Sequence, residues 1–310
     1  MPHYSNRGLF GATAFLTVRR GGPRLWAVKR PPAPAGHRIH LSINRELTEA
    51  LLVDFLRRET LRTGLKRAVV GVSGGIDSAV VLALAVKALG PRSVVGALLP
   101  YRTSSPSSLR DARQLVRRFS ALAVEVDITP MVDAYFAMAP DADPRRRGNK
   151  MARERMAVLY DLSAVRGALV LGTSNKTELL LGYGTIHGDL ASALNPLGDL
   201  YKTQVRQLAR HLGIPPRIIA KRPSADLYPG QTDEGELGFP YARLDRLLYF
   251  LVDLRGRPEE AIRLGFSRRM VASVREMIRT SQFKRRLPLI AKLSDRTPGV
   301  DFRYPRDWGV

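Results

Sequence analysis

The 310-residue chain contains no cysteine. This absence excludes disulfide bonds, cysteine-ligated zinc, iron–sulfur clusters and a cysteine nucleophile. The chain also has no uninterrupted apolar run long enough to cross a bilayer, and its N-terminus lacks the apolar stretch and small-residue cleavage site of a secretory signal. We therefore expect a cytoplasmic protein without a membrane segment.

Acidic residues are scarce, with 28 Asp and Glu against 50 Lys and Arg, which gives a formal net charge of +22. A basic surface of this kind attracts anions such as nucleotides, pyrophosphate or nucleic acid. It is equally typical of a protein from an arginine-rich proteome, in which the charge has no specific partner. Composition leaves both interpretations open.

Short β-branched runs alternate with helical patterns in the first half of the chain. Strands are predicted at 68–72, 94–99, 122–126 and 168–172, and helices at 45–63, 77–89, 109–119, 131–138 and 149–165. This alternation predicts an α/β fold with a doubly wound parallel sheet, whose strand C-termini meet at one edge.

The remaining segments are less regular. The polar segment 140–147 is expected to be a loop, and the region beyond 200 is predicted to be mainly helical, with helices at 203–212, 241–254, 258–264 and 267–281. We divide the chain into an N-terminal extension of unknown role (1–43, in which 9–18 could form a strand), a main domain (44–295) and a C-terminal tail (296–310).

The motif Ser73-Gly74-Gly75-Ile76-Asp77-Ser78 joins the first strand to a helix. Glycines let the backbone approach an anion closely, and the N–H groups at a helix start favour negative charge. The serines add hydroxyl donors. Because a phosphate would repel the Asp77 carboxylate, Asp77 suggests a Mg²⁺ ion between itself and pyrophosphate. Ordinary helix caps are the alternative, which the complete strand–turn–helix string disfavours.

This loop is not a Walker loop, since no Gly-Lys-Ser/Thr follows it. It resembles the Ser-Gly-Gly-X-Asp-Ser loop of the ATP pyrophosphatases. The segment 172–189, Gly-Thr-Ser-Asn-Lys-Thr-Glu to His-Gly-Asp, closely resembles the second signature of the NAD synthetases. Further segments resemble that family in the same order, at 147–156, 195–203, 223–227 with 231–234, and 283–286. The resemblance runs from about residue 44 to about residue 295.

The resemblance implies a Rossmann-like fold of the adenine nucleotide alpha hydrolase type with a helical C-terminal region. It implies a ligase that forms a C–N bond, amidating deamido-NAD with ammonia through an adenylated intermediate and releasing AMP and pyrophosphate. ATP would be the co-substrate and Mg²⁺ the metal. A homodimer is implied, with the substrate site between subunits.

Carried over to this sequence, the family's site residues fall into groups. Asp77 and Lys202 would be catalytic, with Lys202 balancing phosphate charge, and Asp77 and Glu178 would bind the metal. The residues that would bind ATP are Gly71, Val72, Ser73, Gly74, Gly75, Ile76, Asp77, Ser78, Thr173, Lys202 and Ser224. The residues that would bind deamido-NAD are Asn149, Arg153, Asp189 and Lys284.

Several of these residues could instead have an ordinary structural role. Glu178 could favour a helix dipole, Lys202 could be a solvated surface lysine, and Arg153 could pair with Glu154 or Asp161. His187 is expected to be structural, because the proposed chemistry needs no histidine base.

Three positions depart from the family pattern. Many NAD synthetases have lysine at the position of Ile186 and His-Lys at the position of Phe283-Lys284, and the segment 190–193 lacks the usual Gly-Gly and later aspartate. These differences concern the recognition of deamido-NAD rather than of ATP.

Glutamine-dependent members of the family hydrolyse glutamine with a cysteine, which this chain does not have. We therefore expect direct use of ammonia, or ammonia from a separate glutaminase. Two other functions are weighed: a tRNA-modifying ATP pyrophosphatase, which the basic charge would suit, and a catalytically silent nucleotide-binding regulator. No basic, aromatic-rich RNA-binding module is present, so nucleic acid is not expected as a partner.

Overall fold

The computed structural model of this protein describes residues 39–228, 230–286 and 288–298. All of them belong to the unit that spans Arg38–Val310. The predicted strand at 9–18, most of the N-terminal extension and most of the tail lie outside the described residues. Within the described ranges, no helix is long and apolar enough to span a bilayer.

Four parallel strands form the sheet, β1 (Arg67–Gly71), β2 (Val94–Leu98), β3 (Leu122–Glu125) and β4 (Ala168–Leu171). Their order is β3-β2-β1-β4, with Ala68 opposite Val94 and Arg67 opposite Ala168. The central strands are buried on both faces, as continuous β-branched runs require, whereas the edge strand β3 is largely exposed. The predicted doubly wound parallel sheet is confirmed.

Helices cover both faces of the sheet. They are α1 (Arg45–Arg62), α2 (Ile76–Leu89), α3 (Pro106–Arg118), α4 (Thr129–Ala137), α5 (Pro144–Arg166), α6 (Lys176–Leu181), α7 (Lys202–His211), α8 (Pro216–Ala220), α9 (Asp233–Leu237), α10 (Tyr241–Leu248), α11 (Pro258–Arg263) and α12 (Arg268–Thr280).

Three apolar clusters make up the core. The first lies between one sheet face and α1, α2, α3 and α7, and the second between the other face and α4 and α5. The third joins α6 to the C-terminal helices α10, α11 and α12. The helix α2 is apolar around most of its circumference and almost wholly buried, because α1 and α7 cover the side that the sheet does not.

The chain runs from β1 to β2 to β3 on one side and then crosses to β4 on the other. The loops that follow β1 and β4 therefore leave adjacent strands in opposite directions. In open parallel sheets this switch point is where ligands bind. Both signature motifs begin here, one after Gly71 and one after Leu171.

Two predicted boundaries are wrong. The segment 140–147 is not entirely a loop, because α5 already begins at Pro144, where the Asp143 carboxylate accepts a hydrogen bond from Arg146 N at 2.8 Å. Aspartate at the N-cap followed by proline starts a helix despite the polar sequence. The predicted helix 241–254 is α10 followed by a π-helical turn, Tyr249–Asp253. The short helices α6, α8 and α9 were not predicted.

The residues immediately before α1 already contact the domain. Ile43 N donates to Gln207 Oε1 at 3.2 Å, and Gln207 Nε2 donates to Leu41 O at 2.8 Å. Ile39 and Leu41 pack against the third apolar cluster. The first described residues are therefore part of the packed structure, although the sequence division placed them in the extension.

Gly96 of β2 packs closely against Val116 of α3. A Cβ atom at Gly96 would lie 2.6 Å from Val116 Cγ2 of α3, so Gly96→Ala should lower the free energy of unfolding by about 1–3 kcal/mol through overpacking. Urea unfolding measures this loss. In a cycle with Val116→Ala, the double variant should lose less than the two single losses combined. Additive losses would contradict the predicted steric conflict.

Candidate active site

The loop between β1 and α2 has a conformation that its own residues fix. Gly74 has φ +78°, and a Cβ atom there would lie 2.3 Å from Ser108 O, so no other residue fits without strain. Ser78 Oγ accepts from Ser73 N at 3.2 Å and donates to Gly75 O at 3.0 Å. The loop thus leads into the N-terminus of α2, a position suited to bind phosphate.

The two serines of this loop differ in what they can offer a ligand. The single hydroxyl hydrogen of Ser78 is used on Gly75 O, and Ser78 is buried. Ser73 is exposed, and its Oγ accepts from Gly75 N at 3.2 Å. Ser73 Oγ also lies 3.2 Å from Ser78 Oγ, so the Ser73 hydrogen is donated either there or, with a nucleotide bound, to a phosphate oxygen. Ser78 stabilises the loop.

A buried lysine joins the two signature motifs. Lys202 Nζ, at the start of α7, lies 2.6 Å from Asp77 Oδ2 of α2 and 3.1 Å from Glu178 Oε1 of α6. The lysine side chain is 3% exposed, and the two carboxylates are 16% and 15% exposed. Lys202 is therefore not a surface lysine. The structure brings together the two predicted metal ligands and the predicted catalytic lysine.

The charges in this centre depend on one another. Burial alone would lower the pKa of Lys202, but the Asp77 and Glu178 carboxylates outweigh burial and raise it, so the ammonium stays charged. Burial raises the pKa of Glu178, and the Lys202 charge acts in the opposite direction. Removing Lys202 would leave two carboxylates without a cation in a site from which water is largely excluded.

Asn175 links the β4 motif to the β1 motif. Its Nδ2 donates to Asp77 Oδ1 at 3.0 Å, and its Oδ1 accepts from Glu178 N at 3.1 Å. Asn175 N in turn donates to Glu178 Oε2 at 3.1 Å, which completes a capping box at the start of α6. Glu178 thus stabilises the helix N-terminus and also contacts Lys202. Its interpretation as a helix N-terminal carboxylate is therefore compatible with its predicted place in the catalytic centre.

Two further predicted ATP-binding residues lie outside the loop between β1 and α2. Thr173 is half-buried in the connection from β4 to α6. Ser224 is exposed, and its Oγ accepts from Asp226 N at 3.0 Å. Its neighbour Pro223 accepts from Asp233 N at 3.0 Å, and the negative charge of Asp233 acts on Lys202. The role of Ser224 towards ATP stays a prediction.

Two of the predicted substrate residues project from α5 towards one loop. Asn149 Oδ1 accepts from Thr185 Oγ1 at 2.8 Å, and Arg153 Nε donates to Ile186 O at 3.2 Å. Arg153 is exposed, and the nearby Glu154 pairs with a different residue, Lys150. The alternative pairing of Arg153 with Glu154 is therefore not what the structure shows.

The other two predicted substrate residues contact the same loop. Asp189 Oδ1 accepts from Thr185 N at 2.7 Å, and Lys284 Nζ donates to Gly182 O and Gly184 O, each at 2.8 Å. Burial lowers the pKa of Lys284. All four predicted substrate residues thus meet at the loop 182–189, which follows directly after α6 and its Glu178. Their contact with a substrate stays a prediction.

Sequence reasoning missed several residues that support the centre. Asn175 could have been found, because asparagine with glutamate three residues later is a helix-start signal. Asp245 could also have been found, since a charged residue within the apolar stripe of a helix must be buried with a partner. Asp233, buried with its carboxylate accepting from Tyr241 OH at 3.0 Å and Tyr183 OH at 3.1 Å, gave no comparable signal.

Comparison with known proteins places this geometry in a family. A curated relative, the NH3-dependent NAD+ synthetase of Trichlorobacter lovleyi, is 58% identical over 269 residues, which cover 87% of this chain and 98% of the relative. The solved structure of an NMN synthetase from Francisella tularensis has a TM-score of 0.73 at 31% identity and covers 81% of this chain and 99% of that one.

A second solved structure, the NH3-dependent NAD synthetase from Campylobacter jejuni in complex with nitrate, has a TM-score of 0.70 at 32% identity and covers 81% of this chain and 100% of that one. The family model described as NAD synthase matches residues 48–288, which include every residue of the centre described above. The chain therefore belongs to the NAD synthase family.

Proposed function

We propose that this chain amidates the nicotinate carboxylate of deamido-NAD with ammonia, consuming ATP and releasing AMP and pyrophosphate. The observation that carries the proposal is the contact of Lys202 with Asp77 and Glu178 beside the glycine-rich loop. This centre lies at the switch point of the sheet, where a nucleotide is expected to bind. The relatives at 52–58% identity, all named NH3-dependent NAD+ synthetases, support the same reaction.

The reaction has two steps. A nicotinate carboxylate oxygen forms a bond to the α-phosphorus of ATP, and the bond from that phosphorus to the bridging oxygen of pyrophosphate breaks. Ammonia then attacks the carbonyl carbon of the acyl adenylate and loses a proton, and AMP leaves with the carboxylate oxygen. The protein contributes by positioning the reactants and by neutralising charge as it develops.

The residues of the centre have distinct roles in this scheme. The backbone N–H groups at the start of α2 and the Ser73 hydroxyl hold the leaving pyrophosphate. Lys202 supplies a fixed positive charge beside the phosphates, in a site where it needs no reorganisation during the reaction. The Asp77 and Glu178 carboxylates hold the Lys202 ammonium in place from two sides.

The donor set at this centre also fits Mg²⁺. No group of three or more His, Asp or Glu side chains that could hold a metal alone occurs among the described residues. Mg²⁺ needs no such group, because it commonly binds through one or two carboxylates together with substrate phosphates and water. Asp77 and Glu178 would supply the carboxylates. The bound ion would neutralise phosphate charge and make pyrophosphate a better leaving group.

The ammonia source follows from composition. The chain has no cysteine, so it cannot hydrolyse glutamine through a thiol. We expect free ammonia to be the nitrogen donor, with a separate glutaminase as the alternative supplier. A cytoplasmic location, where ATP is available, stays a prediction.

One comparison favours a second substrate. The solved NMN synthetase has a TM-score of 0.73 with this chain, so the mononucleotide form of the substrate is a candidate as well. The chemistry at the nicotinate carboxylate would be the same. Only the contacts to the rest of the nucleotide would differ.

A direct assay tests the proposed reaction. Purified protein with ATP, Mg²⁺ and deamido-NAD should form NAD with ammonium and form little or none with glutamine, because the chain lacks a thiol. NAD, AMP and pyrophosphate should appear in equal amounts. Replacing deamido-NAD by nicotinate mononucleotide compares the two substrates through kcat/KM.

The same assay separates the competing functions. Pyrophosphate release with bulk tRNA and none with either nicotinate nucleotide would indicate a tRNA-modifying enzyme. ATP binding without turnover of any of these substrates would indicate a regulator. Efficient use of glutamine by the purified chain would contradict the inferred nitrogen source.

Exchanging one carboxylate for an amide tests the metal assignment. Asp77→Asn should lower kcat by at least about 100-fold, as expected for loss of a charge that acts on the reacting phosphates. Folding should persist, because Glu178 still pairs with Lys202. Asp54→Asn is the matched control, since Asp54 is half exposed on α1 and forms an ion pair with Arg58 on the same helix. An Asp77→Asn enzyme as active as this control would show that the metal assignment is wrong.

We further propose that the chain forms a homodimer. Apolar side chains are exposed on α4 and α5 and directly after α4, among them Tyr135, Tyr160 and Met138, and the substrate candidate Arg153 is also exposed on α5. Sedimentation velocity at micromolar concentration should show a species of twice the chain mass, and Tyr160→Glu should shift it towards the monomer by placing a charge in an apolar contact. A wild-type protein that sediments only as a monomer would contradict the proposal.

A further inference from the structure

Asp245 is a buried carboxylate that the proposed chemistry does not use. It lies on α10 with 0% of its surface exposed. Its Oδ1 accepts from Thr177 Oγ1 at 2.6 Å, and its Oδ2 accepts from Thr203 N at 2.7 Å. Burial raises its pKa, and the hydrogen bonds from the two threonines act in the opposite direction. A carboxylate in such a place is costly unless its hydrogen bonds are made.

The partners of Asp245 are sequence neighbours of the catalytic candidates. Thr177 directly precedes Glu178 in α6, and Thr203 directly follows Lys202 in α7. The Thr177 hydroxyl also accepts from Lys202 N at 3.1 Å. A continuous path of hydrogen bonds therefore runs from Lys202 N through the Thr177 hydroxyl to the Asp245 carboxylate, and a second bond returns to α7 at Thr203.

A second carboxylate repeats this arrangement about two turns further along the chain. Asp253 accepts from Lys176 Nζ at 2.7 Å and from Tyr201 OH. These are again residues at the starts of α6 and α7. Two carboxylates eight positions apart, Asp245 and Asp253, thus connect the same two helix N-termini.

The π-helical turn explains how both carboxylates face the same way. In an uninterrupted α-helix of 3.6 residues per turn, residues eight positions apart are rotated by about 80° from one another. The π turn Tyr249–Asp253, closed by the bond from Leu254 N to Tyr249 O at 3.0 Å, accommodates about one additional residue. Eight positions then correspond to about two full turns, so Asp253 lies on the same face as Asp245.

We propose that Asp245, acting through Thr177 and assisted by Asp253, is a positioning residue that fixes the distance between Lys202 and Glu178. The inference rests on the proposed function. The Lys202 and Glu178 side chains belong to two separate helices whose starts these carboxylates connect. A shift of α6 against α7 by 1 Å would change the 3.1 Å contact and misplace the positive charge relative to the phosphates.

Substitutions at Thr177 test this path directly, because its hydroxyl links Lys202 N to the Asp245 carboxylate. Thr177→Val removes the hydroxyl at nearly constant shape, and Thr177→Ser keeps it. Thr177→Val should lower kcat by about 10- to 100-fold with little change in KM for ATP, since misplacement by 1 Å costs on this scale. Thr177→Ser should restore most of kcat. Asp245→Asn should lower kcat similarly, and the double variant Thr177→Val/Asp245→Asn should cost less than the two single losses combined.

Val274→Ala provides the matched control. Val274 is fully buried on α12 in the same apolar cluster as α10, so its truncation lowers stability without touching the path. At a temperature below all melting transitions, this variant should keep the wild-type kcat. If Thr177→Val loses no more kcat than Val274→Ala, or if Thr177→Ser does not recover, the inference is wrong.

A crystal structure of Thr177→Val gives a readout that is independent of activity. The distance from Lys202 Nζ to Glu178 Oε1 should exceed the present 3.1 Å. An unchanged distance would overturn the inference even if activity fell. A wild-type protein that forms no NAD would contradict the proposed function, and the crystallographic distance would still decide the positioning role. Should Asp245→Asn fail to fold, the two Thr177 variants suffice for the test.

Discussion

Lys202 lies almost entirely buried, with its ammonium group 2.6 Å from Asp77 and 3.1 Å from Glu178. Moving one such charge out of water costs several kcal/mol, and only close, well-oriented partners offset this cost. The lysine therefore requires that α2, α6 and α7 start within a few ångströms of one another. Much of the surrounding structure can be understood as the means by which three helix N-termini are kept at this one place.

The sheet topology meets the first part of this requirement. Since β1 and β4 are adjacent and parallel, α2 and α6 begin at the same sheet edge. The third helix, α7, starts beside them because Lys202 N donates to the Thr177 hydroxyl and Thr203 N donates to Asp245. Parallel-sheet geometry thus places two members of the centre. The third is held by hydrogen bonds to Thr177 of α6 and Asp245 of α10, together with the packing of α7 against α2.

The sequence predicts the parts of this arrangement that depend on local patterns. The strands follow from β-branched runs, and the loop from glycines of which Gly74 requires a positive φ. The family resemblance predicted the NAD synthase assignment, which is confirmed. The π turn and the contacts of Asp245 could not be predicted in the same way, because they depend on how α10 packs against α6 and α7. In the sequence, Asp245 differs from a surface aspartate only by its apolar neighbours. The helical periodicity therefore indicates that its side chain is buried, but does not identify the groups that donate hydrogen bonds to it.

The charge of the whole chain and the charge of the centre have opposite signs. The chain carries +22, whereas Asp77, Glu178 and Lys202 together carry one net negative charge when all three are ionised. The basic surface can raise the local concentration of an anionic nucleotide, but its effect is screened over about 8 Å at physiological ionic strength. At contact distance the groups of the centre act directly, and the two carboxylates outweigh Lys202 only where Glu178 is ionised, since burial raises the pKa of Glu178 to about 7. The Mg²⁺ ion proposed above would offset this negative charge, since it would bring to the two carboxylates positive charge that Lys202 alone does not supply.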